Sequence, residues 1–165
     1  MNVNEIVKNI KESITTKKLS KETENFLIHW LSDEDKTNDD REVFMKLARD
    51  RTLPFNGTNL FRGCKTLRDG NCQSYSMSIR EAARFANNNG YIIAVDTSKT
   101  FFDTFDLSEY LYILLRYIVN GEEENIYSEE LIDIYETRCG EDEILLVTDL
   151  DSSVVMKVDS IGENL

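Results

Sequence analysis

The chain is poor in the residues that interrupt or staple a fold. Proline occurs once, at Pro54, and glycine seven times in 165 residues. That excludes a Pro/Gly-rich linker and the domain boundary such a linker would mark. Histidine occurs once, at His29, and cysteine three times, at Cys64, Cys72 and Cys139. No CxxC or HxxxH spacing exists, so a structural zinc site is not expected and the thiols are read as reduced. His29 lies among apolar residues and is read as a packed side chain rather than a ligand.

Long apolar runs are also missing. Met1 to Ser13 alternates polar and apolar residues and carries Glu5 and Glu12, unlike a signal peptide. The richest apolar stretch, Leu107 to Val119, includes Glu109 and Arg116 and falls short of the ~20 apolar residues a membrane helix needs. The expectation is a cytoplasmic protein with no membrane partner. Positive charge is scarce: 19 Lys and Arg stand against 31 Asp and Glu, for a net charge of −12 and a pI of about 4.5. Such a surface repels the phosphate backbone, so nucleic acid is not an expected partner. It serves solubility, and it favours a basic protein partner through long-range attraction.

What is present is the composition of a globular domain, 41% hydrophobic and 30% charged, long enough for one core over residues 1–165. Residues 1–55 read as helical. Val3, Ile6, Val7, Ile10 and Ile14 recur at helical spacing, Ser20 is placed to cap a helix carrying Phe26, Leu27, Trp30 and Leu31, and Asp39 with Glu42 resembles a capping box before Val43, Phe44 and Leu47. Residues 56–165 are richer in strands. Asn59 to Cys64, Gln73 to Met77, Tyr91 to Asp96, Glu141 to Thr148 and Ser153 to Ile161 read as extended, with a turn cluster at residues 68–71. Between them, Ser78 with Glu81 opens a helix whose inner face would be Ile79, Ala82, Ala83 and Ala86. Asp106 with Glu109 opens another that stops at Asn120-Gly121. Ser128 to Cys139 reads as a short helix or ordered loop. The fold class is α+β.

Three segments carry chemistry. In Leu60-Phe61-Arg62-Gly63, an arginine at a strand end can meet a phosphate with two N–H groups while the glycine lets backbone approach a ligand. In Ser74-Tyr75-Ser76, alternation puts both hydroxyls on one face with Tyr75 packed behind. In Glu141-Asp142-Glu143 before an apolar strand, the two glutamates share a face, where one can stabilise a developing positive charge and the other hold or deprotonate a basic nucleophile. Each alone has a plainer reading: a surface arginine before a turn, two edge-strand serines, a solvated acidic turn. Ser78 is read as a helix cap.

Taken in order, Arg, then Ser-x-Ser with an Ala…Phe-Ala helix, then Glu-x-Glu, the chain from about Asn59 to Val158 resembles the R-S-E class of mono-ADP-ribosyltransferases, which includes clostridial C3-like toxins, vertebrate ecto-enzymes and phage-encoded enzymes. The resemblance implies a core of two packed mixed or antiparallel sheets behind an N-terminal helical segment. It implies NAD⁺ as co-substrate, no metal, and transfer of ADP-ribose to a protein side chain. Arg62 matches the arginine that binds the NAD⁺ phosphates, and Gly63 falls where backbone would hold the nicotinamide amide. Ser74 matches the serine that orients the catalytic glutamate, Ser76 the last residue of that motif, and Tyr75 stands where the family has threonine. Phe85 belongs with the cofactor-binding set. Glu143 matches the catalytic glutamate. Glu141 stands where glutamate marks arginine-modifying members, so an arginine of an intracellular protein is the implied acceptor, in a host cytoplasm if the protein is phage-encoded. Tyr135 and Arg138 lie where the family recognises its target. A second branch uses a histidine and tyrosines, and His29 stands too far upstream to serve it. The alternatives are an NAD⁺ glycohydrolase, a transferase to another acceptor, and a non-enzymatic acidic decoy for a basic surface.

Overall fold

The computed structural model describes all residues except 33–35, 68–71, 88, 99–102, 125, 139–142, 148–152 and 159–165. Three helices come first: α1 (Val3–Thr16), α2 (Lys21–Ser32) and α3 (Asn38–Arg49). Local chemistry sets their starts. Asn2 caps α1 by accepting from the Glu5 N–H, and α1 stops where Lys17 turns left-handed at φ 55°. Ser20 Oγ accepts from the Thr23 N–H at 3.2 Å, as its position before α2 suggested. The capping box of α3 lies two residues earlier than expected. Thr37 Oγ1 accepts from the Asp40 N–H and the Asp40 carboxylate accepts from the Thr37 N–H, which leaves Asp39 inside the first turn.

The remaining elements are β1 (Asn59–Cys64), β2 (Gln73–Ser76), α4 (Ile79–Ala86), β3 (Tyr91–Asp96), β4 (Asp103–Asp106), α5 (Leu107–Val119), α6 (Glu129–Arg138), β5 (Glu143–Val147) and β6 (Val154–Lys157). Strand β4 was not expected: four residues flanked by aspartates give no alternation to read, and only Phe105, opposite Leu145, marks it as extended. The expected turn at residues 68–71 lies outside the described residues.

The strands form one antiparallel sheet of six, in the order β4-β5-β2-β1-β3-β6. This corrects the expectation of two packed sheets. Two three-stranded halves, β4-β5-β2 and β1-β3-β6, are joined edge to edge by one register pair, Phe61 with Ser76. That pair makes them one sheet, and beyond it β1 and β2 part.

Period-two alternation sends the side chains of β5 both ways. Leu145 joins a large cluster with Ile10, Leu27, Phe44, Leu47, Leu115 and Leu131 from the helices, while Ile144 and Leu146 join Leu60, Tyr75, Ile93 and Val95 in a second cluster. An aromatic chain seats the N-terminal helices on the sheet: Trp30 meets Phe44 edge-on at 4.5 Å between ring centroids, and Phe44 lies 5.6 Å from Phe105. Ser13 Oγ and Tyr110 Oη, both buried, lie 2.8 Å apart and tie α1 to α5.

Helix α4 crosses β1 more closely than its sequence suggested. Its buried residues are Ala82 and Ala86, whereas Ile79 and Ala83 face solvent. A Cβ on Gly63 would lie 1.7 Å from the Ala82 carbonyl oxygen. The small face of α4 and Gly63 are therefore two halves of one contact, in which backbone rests on backbone.

Candidate active site

Glu143 begins β5. Its backbone N–H donates to Ser108 Oγ at 2.6 Å, which fixes the start of the strand against the first turn of α5. Ser76 pairs with Glu143 and Ser74 with Leu145, so both serines and the glutamate lie on the face that meets the N-terminal helices. Ser74 Oγ donates to Glu143 Oε1 at 2.5 Å, and the indole N–H of Trp30 donates to the same oxygen at 3.3 Å. Among the described residues, Oε2 accepts no hydrogen bond. The carboxylate is thus held by one oxygen and presents the other.

Arg62 reaches this group across the gap where β1 and β2 diverge. Its register partner is Ile93, which sets the Arg62 backbone position on the Tyr75 side of the sheet. Its guanidinium donates to the Ser74 carbonyl at 2.8 Å. Burial pushes the guanidinium below its ordinary pKa, partly countered by Tyr75 and Cys64. A cation so desolvated gains more than an exposed one from an anionic partner. Tyr75 is buried on the far face, and burial pushes its phenol up to about 12.

Arg62, Gly63, Ser74, Ser76, Phe85 and Glu143 all border one cavity of about 330 Å³. Six of the seven sequence-derived site residues are therefore brought together, with two qualifications of role. Ser76 Oγ accepts from the Ser78 N–H at 3.0 Å and so shapes the turn into α4. Gly63 is required by α4 whether or not a ligand approaches it. Phe85 stands at the rim, 53% exposed, as an apolar surface for a planar ring. Glu141 lies outside the described residues.

Sequence reasoning missed what the helical segment supplies. Trp30 looks like a core residue of α2, and by exposure it is one, at 2%. Only its N–H turns outward, onto Glu143. Arg41 of α3 donates to the Cys72 carbonyl at 3.0 Å and borders the cavity, and Lys36 lies over the Trp30 ring at 5.1 Å. The signal was a pair of cations flanking a helix start, which charge counting over the whole chain concealed. The described lining holds Lys36, Arg41, Arg62 and Arg138 against one carboxylate, Glu143. In a chain of net charge −12, this concavity concentrates positive charge.

Tyr135 and Arg138 sit on α6. Arg138 borders the cavity, while both residues border a second one on the other side of Glu143. Among the described residues no three His, Cys, Asp or Glu side chains converge as metal ligands, and no helix is long and apolar enough to cross a membrane. Comparison with protein-family models, curated proteins and solved structures finds no match.

Proposed function

We propose that this chain is a mono-ADP-ribosyltransferase that cleaves NAD⁺ in the cytosol and transfers ADP-ribose to a protein side chain, arginine by the nature of Glu141. The observation that carries the reading is the convergence of Arg62, Ser74 and Glu143 on one cavity, with Ser74 Oγ 2.5 Å from Glu143 Oε1. Cationic lining with an exposed aromatic rim suits a dinucleotide, which has a pyrophosphate and two planar rings.

Each residue has work to do in that reaction. Arg62, with Arg41 and Lys36 nearby, binds the pyrophosphate. Breaking the bond between nicotinamide and C1′ builds positive charge on the ribose. Glu143 Oε2, the oxygen left open, takes the ribose 2′-OH and stabilises that charge, while Ser74 and Trp30 hold Oε1 so that the carboxylate need not reorganise. Glu141 then aids deprotonation of the acceptor.

The test is labelled NAD⁺ with purified protein and a bacterial lysate, beside Glu143→Gln. Protein labelling that falls at least ~100-fold in the variant supports the transferase, a size typical for losing a positioned catalytic group. Nicotinamide release without label would replace it with a glycohydrolase, and no NAD⁺ turnover in any lysate would overturn the catalytic reading.

A further inference from the structure

A second cavity, of about 310 Å³, lies across Glu143 from the first. Among the described residues the two share Glu143 and Arg138. Its walls are largely apolar: Leu111 and Tyr112 from α5, Ile134 and Tyr135 from α6, and Met77 after β2. Its polar lining is Asp106, Ser108, the exposed Glu109, Arg138 and Glu143, three carboxylates to one cation. The chain thus builds two unlike compartments that meet at one carboxylate, the first cationic and the second apolar with acidic edges.

We infer that this second cavity receives the acceptor: a long aliphatic stem ending in a guanidinium, an arginine side chain of the target protein. The inference rests on the transferase reading and adds to it where the acceptor binds and which residues select it. The stem lies along Leu111, Ile134 and Tyr135, whose burial of methylenes favours a long side chain over a short one. The guanidinium is drawn by Asp106, Glu109 and Glu143 and stacks on Tyr135 or on the face of Tyr112 not taken by the Arg116 guanidinium, which lies 4.9 Å from that ring's centre. Arriving from this side, its nitrogen faces C1′ from the side opposite the dinucleotide cavity. In the step itself the C1′–N bond to the guanidino nitrogen forms and the bond from C1′ to nicotinamide breaks. Nicotinamide leaves neutral with the electron pair of that bond, and one guanidinium N–H proton passes to water. Selection by α5 makes Glu109 and Tyr112 specificity-determining residues, although neither borders the Arg62 cavity.

Agmatine, a guanidino group on a four-carbon stem, is the probe. Its binding to the protein without NAD⁺ is measured by calorimetry for wild type, Glu109→Lys and Tyr112→Ala; both positions are exposed, so folding is retained. Binding is expected in wild type, weakened ~10-fold or more in Glu109→Lys, the effect of replacing attraction by repulsion at a cavity rim. Nicotinamide release from NAD⁺ is measured in parallel. Agmatine should raise it saturably in wild type, and Glu109→Lys should raise the half-saturating concentration. No agmatine binding, or binding indifferent to both substitutions, overturns the inference even if NAD⁺ is turned over. Binding that obeys the substitutions in a protein that never turns over NAD⁺ sustains the cavity's chemistry and overturns the transferase reading instead.

Discussion

The indole N–H of Trp30, on the second helix, donates to the carboxylate of Glu143, on the fifth strand, 113 positions along the chain. The helical segment therefore forms part of the candidate site and fixes its central group. Replacing Trp30 by Phe keeps an aromatic ring in the core and deletes the donor. NAD⁺ turnover should fall ~10-fold, the order expected for one hydrogen bond to a charged group, with the KM for NAD⁺ little changed. A purely structural Trp30 would lower the unfolding temperature and leave kcat intact, so the kcat and thermal measurements together separate the roles.

Ser74→Ala removes the other donor to Glu143 Oε1. The Ser74 carbonyl that accepts from Arg62 remains, so the register of β2 and the placement of Arg62 should persist. Turnover is expected to fall ~10–100-fold with NAD⁺ affinity retained, and double substitution with Trp30→Phe should fall short of the product of the two effects because both act on one oxygen. Steady-state kinetics of the four proteins checks this.

Arg62→Lys keeps the charge and loses the planar fork. A lysine cannot both reach the Ser74 carbonyl and present paired N–H groups to a phosphate. Binding of NAD⁺, followed by the fluorescence of Trp30, the sole tryptophan, should weaken ~10-fold or more, in the range of a lost charged hydrogen bond. Wild-type affinity in this variant would remove Arg62 from the site.

Gly63→Ala should be among the most damaging single-methyl additions in the chain. The new Cβ would meet backbone of Ala82 and Ala86, which cannot step aside without lifting α4 from β1. A loss of ~2–4 kcal/mol in unfolding free energy is expected from such overpacking, read from urea denaturation. Loss of NAD⁺ binding in this variant would report on the fold first, so it is no test of a nicotinamide contact.

Acid stability should report on Glu24. Burial raises its pKa, but hydrogen bonds from Ser128 and the nearby Lys21 outweigh that and leave it below its ordinary 4.5. A carboxyl depressed in the folded state stabilises above its unfolded pKa, and the contribution is lost as pH falls through the folded value. Unfolding stability should therefore drop below about pH 4.5, and Glu24→Gln should flatten that limb while lowering stability at pH 7. A pH profile of urea midpoints for both proteins decides it.

How much of this was legible in the sequence varied with the physics. The helix starts at Ser20, Ser78 and Asp106 could be read because a cap is local chemistry, and α5 ran as its apolar spacing required. The box before α3 was misplaced because Asp39 and Asp40 both sit three residues from a partner and only backbone geometry chooses between them. One sheet replaced two because joining the halves depends on a single long-range pair, Phe61 with Ser76, which leaves no pattern in either strand. Alternation set Ser74 and Ser76 on one face, but bringing Glu143 to that face took the pairing of β2 with β5, and the approach of Trp30, Arg41 and Lys36 depends on how the helices dock. The partner of Oε1 on α2 was hidden by its own hydrophobicity: a tryptophan in an apolar stripe reads as core, and its one polar atom carries no periodic signal.

The cationic cavity inside an acidic shell has a kinetic consequence for any anion it binds. Within about a Debye length of the surface the anion meets the field of a net charge of −12 and is repelled, and only at the mouth does the field of Lys36, Arg41, Arg62 and Arg138 reverse its sign. Added salt then acts in opposite directions on the two legs of the journey. It lowers the outer barrier and hastens arrival, and it loosens the inner grip and hastens departure. Such a protein exchanges its anion quickly at high ionic strength, and a basic target that neutralises the shell on docking would ease the anion's arrival in the same way, while the shielded interior keeps its hold.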